Sequence, residues 1–218
     1  MSGMTARDDA TDGQPTADTG SAGIILAGGR STRFPTVDKA LAPLDGAPLL
    51  WHVADSLAPA VDELLVSCRR DQREAFAEAL DGFDVRFVVD KIPDRGPLVG
   101  LRTTLDDTVA TYAVVLPCDM PAVPAAFLDF LSARARNTTG AVPEFDGQPQ
   151  PFPAVFHVRA ARAACREIEA RGDNRLAALL DEVEPRIVDE RVVRAHVGPA
   201  AFRNINTHED LAAARESL

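Results

Sequence analysis

The residues with the most chemical capacity lie in one short stretch, AGGRSTRFPTVDK, running from Ala27 to Lys39. Gly28 and Gly29 let the main chain take angles that other residues avoid, and let a ligand approach it closely. Exposed amides in such a turn form a concavity for anions. Arg30, Arg33 and Lys39 add full positive charges, and the whole suits a di- or triphosphate. A plain Gly-Gly turn flanked by solvated arginines accounts for the stretch equally well when it is taken alone. Two standard phosphate loops are excluded: the spacing GxxxxGK[ST] is missing, and no third glycine completes GxGxxG.

Lys39 stands out by composition. Only Lys39 and Lys91 are lysines; the other bases among the 23 are arginines. A lysine kept in VDKAL fits a task for a compact ammonium rather than a planar fork. The competing reading is a residual surface lysine.

Two carboxylates complete the set. Asp119 follows the apolar run YAVVL within LPCDMP, where Pro117 and Pro121 stiffen the turn. A lone carboxylate there can hold Mg²⁺, whose remaining positions water and phosphate oxygens fill. Alternatively, it caps the helix expected from PAAFLDFL. Asp90 ends the run VRFVV and precedes the loop DRGPLVG, in which Gly96 and Gly100 leave the approach uncluttered.

These residues need elements to carry them. GIILA, ELLVS, VRFVV and YAVVL are short, nearly continuous apolar runs, the pattern of strands buried on both faces of a parallel sheet. Helical patterns alternate with them. PLLWHVADSLA places Leu50, Val53, Ala54 and Leu57 on one face, DQREAFAEAL opens on Asp71 as a cap, and PLVGLRTTLDD opens with Pro97 at its first position. After PAAFLDFLSARA, the segments GAVPEF and PAVFHV read as strands flanking a turn at DGQPQ. RAARAACREIEA, NRLAALLDEV and EDLAAARESL read as helices, the last capped by Thr207 or Asn206, with Asp210 in a capping-box position. Alternating strand and helix predict one α/β domain with a doubly wound, mostly parallel sheet and helices on both faces. Ligands in such folds sit beyond the carboxyl ends of the strands, where Gly28, Asp90 and Asp119 fall.

Composition bounds the rest. The chain of 218 residues fits one domain, assigned to residues 22–218, after a tail over residues 1–21 that is polar and expected to be disordered. No apolar run reaches the roughly 20 residues of a membrane span, and the N-terminal stretch lacks the apolar centre of a signal peptide. A cytoplasmic location follows as an expectation. Cys68, Cys118 and Cys165 are scattered and read as buried hydrophobes. A net charge of −10 argues against nucleic acid or an anionic membrane as partner. Its acidic, lysine-poor character matches a surface adapted to high salt.

Taken together, LAGGRSTRF…DK, VVD…GPLVG and LPCDMP resemble the molybdenum cofactor guanylyltransferases, a family of Rossmann-like nucleotidyltransferases. FRNINTHEDL, residues 202–211, is similar to that family's closing segment. The resemblance runs from about Gly23 to the C-terminus. It implies transfer of GMP from GTP to molybdopterin with release of pyrophosphate, Mg²⁺ as cofactor, and delivery of the product to molybdoenzymes. By resemblance Leu26, Ala27, Gly28, Gly29 and Arg30 line the nucleotide, together with Ser67 and Asp90. Lys39 meets phosphate, Arg33 assists catalysis, Asp119 holds the metal, and Asn204 and Asn206 border the pterin. The chain departs from the family at Phe34-Pro35, where relatives read Met-Gly, at Ser67, where they often carry Asn, and at His208, where they carry Pro. The histidines receive no catalytic part. Cytidylyltransferases of molybdopterin share the chemistry but typically read LAAG instead of LAGG. Guanylyltransferases of corrin or sugar phosphates, and a non-catalytic nucleotide-binding adaptor, are the other readings.

Overall fold

The computed structural model describes residues 20–29, 38–90 and 96–215. Strand β1 (Ser21–Leu26) is followed by a small antiparallel hairpin, β2 (Pro43–Leu44) and β3 (Ala47–Pro48), and by helix α1 (Leu49–Leu57). Strand β4 (Glu63–Cys68), helix α2 (Arg73–Ala79), strand β5 (Val85–Val89), helix α3 (Pro97–Asp106) and strand β6 (Tyr112–Pro117) complete the alternating half. Helix α4 (Ala125–Ala135) leads to β7 (Gly140–Phe145), β8 (Gln148–Pro149) and β9 (Ala154–His157). Helices α5 (Val158–Ala170) and α6 (Leu176–Val183), strand β10 (Arg186–Val188), and helices α7 (Glu190–Arg194) and α8 (His208–Arg215) close the chain.

The main sheet has the order β10-β7-β9-β6-β1-β4-β5, with β8 paired to β7. From β6 to β5 every pairing is parallel, as the buried apolar runs predict. Only the first residue of β1, and only the two ends of β6, escape full burial, so helices must cover both faces. Strand β9 is the exception. It runs antiparallel between β6 and β7, because GAVPEF and PAVFHV are two arms joined by the turn at DGQPQ. The sheet is therefore mostly parallel but mixed.

One large core fills the space between sheet and helices, with Phe76, Phe127, Phe156, Ile24, Leu50 and Leu98 fully buried. Each such side chain contributes roughly 1.5–3 kcal/mol on leaving water. The three cysteines are buried too, and burial pushes the Cys118 and Cys165 thiols up to about 12 and Cys68 to about 11. No helix among the described residues is long and apolar enough to cross a membrane.

Three expectations need correction. Gly20 and Ser21 belong to the domain rather than to the tail: Ser21 opens β1 and its amide donates to Asp62 at 2.8 Å, while the Gly20 carbonyl accepts from Thr111. The remainder of the proposed tail, residues 1–19, lies outside the described residues. Asp71 does not cap α2; the N-cap is Gln72, and the Asp71 carboxylate turns to Arg69 instead. Asp119 does not cap α4 either, since that helix starts from Pro124 without a side-chain cap. By contrast, Pro97 does stand at the start of α3, and Thr207 and Asp210 form the reciprocal capping box before α8.

Candidate active site

The chain leaves β1 toward β4 and β5 on one side, and later enters β6 on the other. The loops after β1 and β6 thus flank the point where strand order reverses, the place where ligand crevices form in such sheets. Ala27 is still tied to the sheet, its amide donating to the Ser67 carbonyl at 3.0 Å, and the Leu26 carbonyl accepts from Cys118 at 3.1 Å. Beyond them Gly28 and Gly29 lift off the sheet edge. Arg30 and Arg33 lie outside the described residues, as do Phe34 and Pro35.

On the flank of β4 and β5, Asp90 sits against the loop. A Cβ added at Gly28 would come within 2.6 Å of Asp90 Oδ2, so only glycine permits this approach. Asp90 Oδ1 accepts from Ser67 Oγ at 3.2 Å, and Ser67 itself is buried. Ser67 therefore holds Asp90 in place and turns no hydroxyl to the crevice. Burial raises the Asp90 pKa above the usual carboxylate range, against the Ser67 hydrogen bond and the charge of Arg69, which lower it. Gly100 does not line an open approach: a Cβ there would meet Ser67 Oγ at 2.8 Å. Its missing side chain lets α3 press on the Ser67–Asp90 pair.

On the flank of β6, Asp119 and Lys39 meet. Lys39 opens a 3-10 turn, Lys39–Leu41, capped by Asp38, whose Oδ1 accepts from the Ala40 amide at 3.1 Å. Lys39 Nζ stands 2.6 Å from Asp119 Oδ2 and donates to Asn206 Oδ1 at 2.9 Å. The side chains of Lys39 and Asp119 are each only 16% exposed, so this is no residual surface lysine. The Ile205 amide donates to the Asp119 carbonyl at 2.9 Å, which ties the closing segment to the turn after β6. Asp210 accepts from the Asn206 and Thr207 amides, which hold its carboxyl below the usual range and fix the Asn206 backbone.

Asn206 thus faces the lysine. Asn204 points elsewhere: it is exposed and lines a cleft of about 290 Å³ with Pro121, Ala122, Arg203 and Ala214. Two residues missing from every motif also enter the site. Arg69 and Gln72, just past β4, bond the carbonyls of Ala27, Gly28 and Gly29 and the carboxylate of Asp38. Their signal in the sequence was only that they follow a strand end. Among the histidines, His52 bonds the Leu44 carbonyl and His196 bonds that of Val192 while stacking on Phe130.

No cluster of three or more His, Cys, Asp or Glu side chains that could hold a metal occurs among the described residues. Asp119 is thus a single hard-oxygen donor, which suits a cation that completes its shell with phosphate and water, and would not suffice for a structural zinc.

This edge is that of a mostly parallel α/β sheet, with a cation, an acid and the Gly28–Gly29 turn gathered at its strand ends. A family model described as a MobA-like NTP transferase domain matches residues 23–187. The chain belongs to that family and is a nucleotidyltransferase. It is 50% identical over 196 residues to the probable molybdenum cofactor guanylyltransferase of Haloferax mediterranei, with 90% of this chain and 93% of the relative covered. It is 36% identical over 203 residues to the molybdenum cofactor guanylyltransferase of Burkholderia lata, covering 88% and 94%. Molybdopterin-guanine dinucleotide biosynthesis protein A from Archaeoglobus fulgidus has the same fold, with a TM-score of 0.73 at 21% identity over 90% of this chain and 97% of that one.

Proposed function

We propose that the protein transfers GMP from GTP to molybdopterin, forming the guanine dinucleotide cofactor and pyrophosphate. The observation that carries this reading is the Lys39–Asp119 pair, set on one flank of the Gly28–Gly29 turn while Asp90 occupies the other. The relatives named above supply the substrate class. The LAGG sequence favours guanine over cytosine, as the resemblance implies.

A phosphate oxygen of the pterin attacks the α-phosphorus of GTP. The bond from that phosphorus to the bridging oxygen of the leaving pyrophosphate breaks, and its electron pair departs with pyrophosphate. No protein nucleophile is required, because the attacking group is already an anion. The barrier lies in gathering polyanions and stabilising the leaving charge, so catalysis rests on positioning and electrostatics. Lys39 supplies the ammonium, and the amides after Ala27 supply oriented donors. Asp90 is placed to accept from the nucleoside. Asn206 holds Lys39, and Asn204, in its separate cleft, is the better candidate for the pterin side. Asp119 would hold Mg²⁺, which neutralises phosphate charge as the pyrophosphate leaves. Asp119 Oδ2 accepts from Lys39, so the residue that would hold the metal stands beside the ammonium that would meet the phosphates.

The test is pyrophosphate release from each of the four NTPs, with and without molybdopterin, and with and without Mg²⁺. Release from GTP alone, dependent on both molybdopterin and metal, is the expected result. Equal release from CTP would overturn the base assignment, and no release from any NTP would favour a non-catalytic binding protein. The acceptor molybdoenzymes and a cytoplasmic location follow from this reading.

A further inference from the structure

Arg69 and Gln72 take no part in the proposed chemistry, yet they hold the loop on which it depends. Gln72 Nε2 donates to the Ala27 carbonyl at 3.1 Å. Arg69 Nη1 donates to the Gly28 carbonyl at 3.0 Å and to the Gly29 carbonyl at 2.8 Å. In an extended chain successive residues alternate sides. Here three consecutive carbonyls are gathered by two side chains that are themselves joined, since the Arg69 amide donates to Gln72 Oε1 at 2.8 Å. Both also reach Asp38 Oδ2, Gln72 at 2.6 Å and Arg69 at 3.4 Å.

A planar trans peptide sets each N–H opposite the preceding carbonyl. With the Ala27 and Gly28 carbonyls fixed toward the clamp, the amides of Gly28 and Gly29 turn away from it. Among the described residues, a Cβ added at Gly29 would meet nothing within 4 Å. Successive amides turned to the same side in this way form a concavity for anions.

We propose that Arg69 and Gln72 are positioning residues that aim the Gly28 and Gly29 amides at the triphosphate. The identity of the ligand as GTP rests on the guanylyltransferase reading; the clamp itself does not. Arg69 acts through the main chain rather than on phosphate. Both hydrogens of Nη1 are spent on carbonyls, while Nε and Nη2 face Asp71 and Asp38. Gln72 is buried and carries no charge.

Isothermal titration of wild type, Arg69→Ala and Gln72→Met with inorganic tripolyphosphate, GTP and guanosine tests this. Both variants should bind tripolyphosphate and GTP about tenfold more weakly, the scale of one or two lost hydrogen bonds, with guanosine affinity within about twofold of wild type. Gln72→Met decides the mechanism, because a neutral substitution weakens an anion only by moving its donors. Unchanged tripolyphosphate affinity in Gln72→Met, or a parallel loss of guanosine, overturns the proposal. If Arg69→Ala does not fold, Arg69→Lys takes its place and should show a smaller loss of the same kind. Wild-type binding of tripolyphosphate without preference for GTP among NTPs, with the variants weakened, would remove the guanylyl reading and leave the clamp standing. Tight GTP binding by both variants would do the reverse.

Discussion

Two sets of ion pairs show how differently the same charges serve this molecule. At the crevice, one lysine meets one aspartate at 2.6 Å, with both side chains 16% exposed, and an asparagine from the closing segment completes the group. Behind the sheet, Asp106 at the end of α3 is shared by Arg102, Arg162 and Arg166, and Arg102 also reaches Glu169. There the cations are planar forks, more exposed, and Asp106 has three partners. The second arrangement staples α3 to α5 and loses little when one member is removed. The first is more deeply buried, and its partners are ones that a phosphate and a cation could replace. Redundancy around one acid marks the structural set, and burial marks the pair at the strand ends.

The largest effect should come from Asp119→Asn, which breaks the buried Lys39–Asp119 pair. Turnover should fall on the order of 10²–10³-fold with the fold intact, measured as pyrophosphate release alongside circular dichroism. Wild-type rates at limiting Mg²⁺ would put Asp119 among the merely structural acids.

Lys39→Arg should be nearly as damaging as Lys39→Ala. The ammonium fits between Asp119 Oδ2 and Asn206 Oδ1, 2.6 and 2.9 Å away, and a planar guanidinium cannot occupy that point. An arginine variant within about threefold of wild type in steady-state GTP kinetics would mean that charge alone matters, since that is under 1 kcal/mol of transition-state stabilisation. Because the residue is half-buried and not on an open loop, both variants should also lower the melting temperature.

Asp90→Asn should separate stability from function by pH. The native carboxyl has its pKa raised by burial, so between the unfolded and folded pKa values the native state holds more protons than the unfolded one. Stability is then lost as pH rises through the folded value, and the ionised form is penalised at neutral pH. The Asn variant should therefore melt a few degrees higher than wild type at pH 8, with the gain vanishing at acid pH, while GTP turnover falls. A gain that persists at low pH would assign it to packing instead.

The smallest effect is expected for Asp106→Asn. Exposed pairs are each worth about 0.2–1 kcal/mol, and Arg102 and Arg162 keep other partners, Glu169 and the Thr108 carbonyl. Melting should shift slightly, less so in molar KCl, with kinetics unchanged. A large kinetic change would erase the distinction between the two sets.

The sequence carried the strand ends well, because short apolar runs stop where the crevice begins. Asp90, Asp119 and Gly28 were legible for that reason. The Lys39–Asn206 bond spans 167 residues, and no local pattern encodes such a meeting. Arg69 and Gln72 were hidden for a related reason: they act on another strand's carbonyls, so their role exists only once β4 lies beside β1. The hydrogen bond from Ser67 to Asp90 was not legible, because its partner comes from the next strand over. Asp71 looked like the better helix cap, but Gln72 was drawn into the clamp and the helix began one residue later.

The asparagine that steadies Lys39 has a kinetic consequence. Its contact joins the first crossover to the last segment of the domain, and contacts of that sequence separation are the slowest to form in a folding chain. A refolding molecule is expected to regain helices and much of the sheet before this group closes. Recovery of turnover should therefore lag behind recovery of secondary structure, and the catalytic centre acts as a late checkpoint on whether the whole domain has been assembled.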